Sequence, residues 1–473
     1  MNPAAANWFS PVLLVLAFMH TAGVSCGLAQ TTAATQPVIK PPVSIGTVTI
    51  PIDLPTLSGT FFDRFAYSFH GQTTIIPQGH GNFPAAYNGP HSQDDNSDVE
   101  TSYTGTLFTG VRVSPGTEIY FDPEVSAGNG IGHVVGIADF PNGEISRVSN
   151  SEPTPIVARL FLRETLGFSG EQEDIADDQD QIAGKQDINR LTITVGKFSA
   201  TDIFDNNTYS HDPRTQFLNL GLVDNTAWDY PADTKGYTDG LVVEYNRKNY
   251  TARYGIFREP DNANGAKLDD RWNRAFGQIA EFEQRFELWQ HRGAVRPMAY
   301  INYADMGDYR TAINQTPVNP DVTTTRSYSH PKYGFGVSAE QEITSDLGVF
   351  GRAGWNNGQS ETWAFTEVDR TVLIGLSIKG TPWGRANDVA ALGGVISGLA
   401  KDHRDYLAGG GLGFILGDGQ LSYAPEQILE AYYSAAVTKN VFLALDYQFV
   451  NHPGFNADRG PISVGAFRFH FEF

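Results

Sequence analysis

In segment after segment of this chain the side chains switch between apolar and polar at every second position, a pattern that few folds can satisfy. A β-strand turns successive side chains to opposite faces, so such alternation marks a sheet with one apolar and one polar side. "GAFRFHFEF", from Gly465 to Phe473, shows it most plainly: Phe467, Phe469, Phe471 and Phe473 form one stripe, and Arg468, His470 and Glu472 form the other. In "IVARLFLRE", Ala158, Leu160 and Leu162 alternate with Arg159, Phe161 and Arg163. In "NRLTITVG", Leu191, Ile193 and Val195 alternate with Arg190, Thr192 and Thr194. "GQIAEFEQRFEL" sets Phe282, Phe286 and Leu288 against Glu281, Glu283, Arg285 and Glu287, and "LGVFGRAGW" and "NVFLALDYQF" behave alike. There are about sixteen such segments, each near the roughly 10 residues that a membrane-crossing strand requires.

Aromatic residues cluster at the segment ends, as with Tyr245 and Tyr250, Trp289, Tyr300 and Tyr303, Trp355, and Tyr432 and Tyr433, which fits girdles at two membrane interfaces. No apolar run reaches the roughly 20 residues of a membrane-spanning helix. In hydrocarbon every backbone N–H and C=O must find an internal partner, and a sheet achieves this only by closing on itself. The expected fold is therefore all-β: a transmembrane antiparallel β-barrel of about 16 strands. The 49 glycines and 12% aromatics suit many short strands and tight turns. A formal charge of −20 would repel a phosphate backbone and argues against nucleic acid as a partner.

Residues 1–29 read as a secretory signal, with an apolar core from Pro11 to Met19 and small residues Gly27 and Ala29 before a cleavage after Ala29. Cys26 raises a lipoprotein reading, which Gly23 disfavours. It is the only cysteine, so no disulfide and no cysteine-based metal site is expected in the mature protein. Residues 30–60 form a Thr/Pro-rich leader, and residues 61–473, free of any further linker, form one barrel domain.

Several stretches then carry a resemblance. "FHGQTTIIPQ" at Phe69 to Gln78, "YTGTLFTGVRVSPGTEIYFDPEVSAGNGI" at Tyr103 to Ile131, "RLFLRETLG" at Arg159 to Gly167 and "TVGKFSATDIFDNNTYSHDPRTQFLN" at Thr194 to Asn219 stand in order with "NTAWDYPADTKGYTDGLVVEY" and the closing "GPISVGAFRFHFEF". In these the chain resembles the carbohydrate-selective outer-membrane porins of Gram-negative bacteria, the OprB-type family. The resemblance implies a sixteen-stranded barrel in the cell outer membrane, bounded by lipid, that passes mono- and small oligosaccharides into the periplasm without energy input or cofactor. It also implies that the strand ending at Phe473 is read by the barrel assembly machinery. A homo-oligomer stays open.

A sugar is neutral, rich in hydroxyls and apolar on its ring faces, so a selective pore calls for hydrogen-bonding groups and some aromatic surface. Alternation places Arg159, Arg163, Arg190, Glu244 and Arg253 towards the lumen. Each could equally well only solvate a watery lumen. Arginine is the more telling residue, because its fixed fork of donors can hold two hydroxyls. The stretch from Thr201 to Tyr237 exceeds any hairpin turn; it either stands outside as a loop held by local turns or folds inward and narrows the barrel, with Trp228 as a stacking surface and Arg214 and Asp229 as hydrogen-bonding groups.

No seryl elbow, H-E-x-x-H helix or P-loop accompanies His211, Asp212 and Arg214, and an enzyme is not expected. The acidic run from Gly170 to Asp187 lacks the spacing of a calcium loop and reads as a solvated connection. Two other readings stay open: a general porin that passes sugars and ions by size alone, and an exported soluble all-β protein that binds or cleaves polysaccharide.

Overall fold

The structure, a computed structural model, describes residues 66–146 and 149–473. The expected signal and leader lie outside the described residues. From β1 (Ala66–His80) the chain runs through β2 (Asp98–Ser114), β3 (Thr117–Gly128), β4 (Thr154–Gly167), the short β5 (Gln172–Ile175) and β6 (Gly184–Asp187), and β7 (Arg190–Phe198). It continues through β8 (Thr238–Asn246), β9 (Tyr250–Arg258), β10 (Phe276–Leu288), β11 (His291–Tyr303), β12 (Lys332–Glu342) and β13 (Leu347–Asn356). The last strands are β14 (Arg370–Gly380), β15 (Arg385–Gly398), β16 (Glu426–Ala436), β17 (Val441–Asn451) and β18 (Ile462–Glu472). Sixteen of these close into one antiparallel barrel, in which β4 pairs with β7, β1 pairs with β18, and β5 and β6 form a hairpin of their own.

The barrel is inside out relative to a soluble protein, as the alternation requires. Along β17, Leu445 is 67% exposed while Asp446 and Gln448 on either side of Tyr447 are buried in the lumen. Along β18, Phe467 faces outward, and Arg468 and His470 are buried within. One expectation is off by a residue. The register of β4 against β3 shifts between Asp122 and Pro123, so Ala158 bulges, turns inward and joins Arg159, Phe161 and Arg163 rather than Leu160. Closure is completed at Gly71, whose N–H donates to the Phe473 carbonyl at 3.2 Å and whose carbonyl accepts from the Phe473 N–H at 3.0 Å. The Phe473 ring lies over Gly71 so closely that a Cβ there would sit 2.6 Å from it.

Because the outward face meets lipid, Leu445→Arg at the middle of β17 is expected to cost about 2–4 kcal/mol of folding stability. Urea titration of the protein in bilayers checks this; a cost below 1 kcal/mol would mean that this face is wet.

The two ends of the barrel differ. At the end holding Ala66 and Phe473, six connections have two to four residues, and one, residues 168–189, has 22. At the other end the connections run from 10 to 39 residues, and three of them carry short α-helices. In one of these helices, Lys401–Ala408, Tyr406 and Leu407 bury themselves against Tyr309 and Val322 of a neighbouring loop. The main apolar core lies not between sheets but inside the barrel, where residues 129–146 and 199–237 pack against the lumen wall.

Candidate functional site: the barrel interior

The 39-residue connection between β7 and β8, residues 199–237, enters the barrel and crosses it. Its apolar residues drive this. Phe217 packs edge-on against Phe350 of β13 at 5.5 Å and Tyr432 of β16 at 5.1 Å, on the wall far from the loop's own strands. Polar side chains of the wall then satisfy the loop's backbone, which a buried loop needs. Glu430 accepts from the N–H groups of Leu218 and Asn219, Arg468 donates to the carbonyls of Pro213 and Gln216, and Tyr300 donates to that of Ala227. Arg352 of β13, fully buried, donates to Asp205 and to the carbonyls of Asp205, Ser210 and Leu222. The wall opens a notch for the loop at Gly354, where any Cβ would fall inside the Asn225 side chain.

The connection between β3 and β4 also folds inward, a feature the sequence reading did not include. The Pro141 carbonyl accepts from Gln78 of β1 and Gln448 of β17, and Glu426 of β16 accepts from the N–H groups of Ala138 and Asp139.

Below these loops a cavity of about 2960 Å³ reaches to the short turns at 247–249 and 343–346. Arg190, paired with Glu173, lines it, and so do five of the other seven expected residues: Arg159, Arg163, Arg214, Glu244 and Arg253. These five form two groups. In the first, Arg214 donates through Nε to Glu144 at 2.7 Å and through Nη2 to Glu124 at 2.9 Å, tying the loop to β3 and to the connection after it. Tyr237 also donates to Glu124, and the Arg159 guanidinium lies 5.5 Å from the Tyr237 ring. Arg159 holds Asp202 bidentately, at 2.8 and 2.6 Å, while its Nη1 is buried with no hydrogen-bond partner. Arg163 lies over the Tyr120 and Phe161 rings. Burial pushes the Glu144 carboxyl above its ordinary range, with Arg214 opposing it. Burial likewise works against the Asp202 carboxylate, but Arg159 outweighs it and leaves that group below its ordinary range.

The second group lies on the next arc of wall. Arg253 of β9 donates to Glu244 at 2.8 Å, to Glu281 at 2.8 Å and to Glu283 at 3.1 Å, and Arg296 bridges Glu283 and Glu340. Arg253 and Arg296 are thus matched by carboxylates, so this part of the wall offers polar groups with little uncompensated charge.

Trp228 and Asp229 do not meet their expectation. Trp228 is 1% exposed, packed against Phe204 and Tyr230, and cannot present a face to a solute. Asp229, also 1% exposed, accepts from the N–H groups of Trp363 at 2.8 Å and Ala364 at 2.7 Å and so pins another loop. Conversely, Glu124, Glu144, Lys235 and Tyr237 line the cavity and were not singled out. Alternation could have found Glu124, since Glu118, Tyr120, Asp122 and Glu124 share the inward face of β3, opposite Ile119 and Phe121. Among the described residues no three His, Asp or Glu side chains are placed to hold a metal ion.

No curated protein matches the sequence. In fold the chain is similar to Pseudomonas putida OprB in its high-pH structure, at 16% identity and a TM-score of 0.65, over 86% of this chain and 94% of that one. The outer membrane channel DcaP of Acinetobacter baumannii matches at 9% identity and a TM-score of 0.49, over 86% of this chain and 97% of that one. OmpF of Salmonella typhi, in complex with daunomycin, matches at 10% identity and a TM-score of 0.46, over 86% and 97% of the two chains. The profile described as carbohydrate-selective porin, OprB family, matches residues 99–473, a span that runs from β2 through β18. A match over so much of the barrel decides the matter: the chain belongs to that family, and is a passive, carbohydrate-selective channel of the Gram-negative outer membrane.

Proposed function

We propose that the selective passage runs along the Arg159, Arg163 and Arg214 group, and that the arc holding Glu244 and Arg253 guides solutes on towards the short-turn end. The observation that carries this reading is the double tie of Arg214 to Glu124 and Glu144, which fixes a guanidinium at the junction of barrel wall and two inward loops. A sugar hydroxyl is both donor and acceptor, so a matched row of arginines and carboxylates can replace part of its hydration at every step. Because the charges of Arg159, Arg214 and Arg253 are compensated by carboxylates, a zwitterion or anion of the same size gains less, and binding remains weak enough for release. Phe473 and its stripe serve as the strand that the outer-membrane assembly machinery recognises.

Arg214→Ala is expected to lower the ratio of glucose to amino-acid permeation, read by liposome swelling with solutes of matched size, by about two- to tenfold, the effect of one lost hydrogen bond to a neutral ligand. Arg214→Lys keeps the charge but not the fork and should lose most of the preference as well. Swelling that ranks solutes by size alone, in both wild type and variants, would leave a general porin and overturn this reading.

A further inference from the structure

Six of the seven connections at the short-turn end are turns of two to four residues, and the seventh, between β4 and β7, has 22 and folds into the barrel. Two kinds of contact hold it there. Ile182 is 2% exposed and belongs to the core around Tyr120 and Phe161. Wall side chains capture its backbone: Ser68 of β1 donates to the Asp178 carbonyl, Arg112 of β2 to those of Ile182 and Ala183, and Arg163 of β4 to that of Asp180. The segment is thus a built part of the interior and not the solvated connection that its composition suggests. Its β5–β6 hairpin stands inside the rim on the side opposite the long loops.

Its charge is as informative as its position. Nineteen carboxylates and 13 Lys or Arg side chains line the cavity. Six of those carboxylates belong to this one segment, whose single cation, Lys185, stands outside the lining and pairs with Asp174 at 2.9 Å; the remaining 13 equal the 13 cations. Four of the six, Glu171, Asp174, Asp177 and Asp178, are solvent-exposed. Along the cavity lining the walls and the long loops are balanced, and the excess negative charge of that lining comes from this segment.

We propose that residues 168–189 form a second constricting element, independent of the 199–237 loop, which narrows the channel at the short-turn end and makes it reject anionic solutes. The inference rests on the reading of the chain as a porin. It goes beyond that reading in assigning size and charge discrimination to a part of the chain at the other end from the long loops. Glu171, Glu173 and Asp174 pair with Lys248, Arg190 and Lys185, whereas Asp177 and Asp178 have no Lys or Arg partner among the described residues. A neutral sugar passes the hairpin with no Coulomb cost, and a sugar acid of the same size meets this excess of carboxylates in a confined space, where screening by salt is incomplete.

The test uses the full-length protein in planar bilayers and liposomes, with two variants. In the first, residues 171–187 are replaced by a short Gly-Ser turn; its conductance is expected to rise about twofold, and raffinose, slow in wild type, should enter at a rate closer to that of glucose. In the second, Asp174→Asn/Asp177→Asn/Asp178→Asn keeps the hairpin but removes three exposed charges. Its glucuronate-to-glucose swelling ratio should rise about fourfold, the Coulomb effect of several unit charges at channel distances in water, with the raffinose rate unchanged. If the replacement fails to fold, the charge variant alone decides, since it alters only exposed side chains. Wild-type flux of glucose together with a glucuronate ratio unmoved in the charge variant overturns the inference and leaves the porin reading intact. Absence of glucose flux in wild type overturns both.

Discussion

Arg352→Ala is expected to turn the channel into a wider and less selective one without unfolding the barrel. Arg352 sits on β13 with no exposed side-chain surface, and it holds Asp205, itself buried, at 3.0 Å while donating to three carbonyls of the inward loop. Truncation leaves an uncompensated buried carboxylate and orphaned carbonyls, a penalty of roughly 3–5 kcal/mol. That energy falls on the loop, not on the wall, because β12, β13 and β14 keep their ladders whatever residue occupies position 352. At about tenfold per 1.4 kcal/mol, the open population of the loop should grow by a hundredfold or more. Single-channel recording should show larger and noisier conductance, and the disaccharide-to-glucose swelling ratio should rise. Trp228→Ala, which leaves a void among Phe204 and Tyr230, should act in the same direction through a core penalty of roughly 3–5 kcal/mol. An unaltered conductance in both variants would show that the loop does not depend on these contacts.

The barrel was legible in the sequence because one rule, alternation, is enforced at every strand by the same cause, with lipid on one side and water or polar loops on the other. Where the rule has a local exception, at the Ala158 bulge, the reading failed by one residue, since nothing in "IVARLFLRE" signals an extra residue in the ladder. Arginine and glutamate positions on strands inherited the same reliability: Arg159, Arg163, Glu244 and Arg253 all face the cavity. Loop residues had no such rule. Within 199–237, Arg214 lines the cavity and Trp228 and Asp229 face away from it, and the difference depends on which wall residues the loop meets after crossing the lumen. Those partners, Glu124 for Arg214 and the Trp363 and Ala364 N–H groups for Asp229, are about 90 and 135 positions away in the chain. The inward fold of residues 168–189 was hidden for a related reason, because an acidic composition argues for solvent, whereas Ile182 and the captured backbone decide the outcome.

Asp229→Ala provides a sharp separation between a residue that touches the solute and one that shapes the space the solute crosses. Asp229 accepts two backbone N–H groups from the 357–369 loop, its own carbonyl accepts from Asn302, and Lys332, buried without exposed surface, lies 3.9 Å from its carboxylate. Removing it strands two amides and leaves Lys332 with Asp369, at 3.9 Å, as its one close carboxylate among the described residues. The loss of a buried partner of this kind costs roughly 3–5 kcal/mol. Two inward or capping loops share that loss, so both should open together. Limited proteolysis in detergent should show faster cleavage within 199–237 and 357–369, and conductance should become noisier, while the glucose preference at the Arg214 group is retained in the closed population. Asp229→Asn, which keeps an acceptor oxygen for one of the two amides, should fall between wild type and alanine. The opposite pattern, lost glucose preference with unchanged proteolysis and conductance, would return Asp229 to the list of groups that hold the sugar and would mean that the carboxylate leaves its buried amides when a solute arrives.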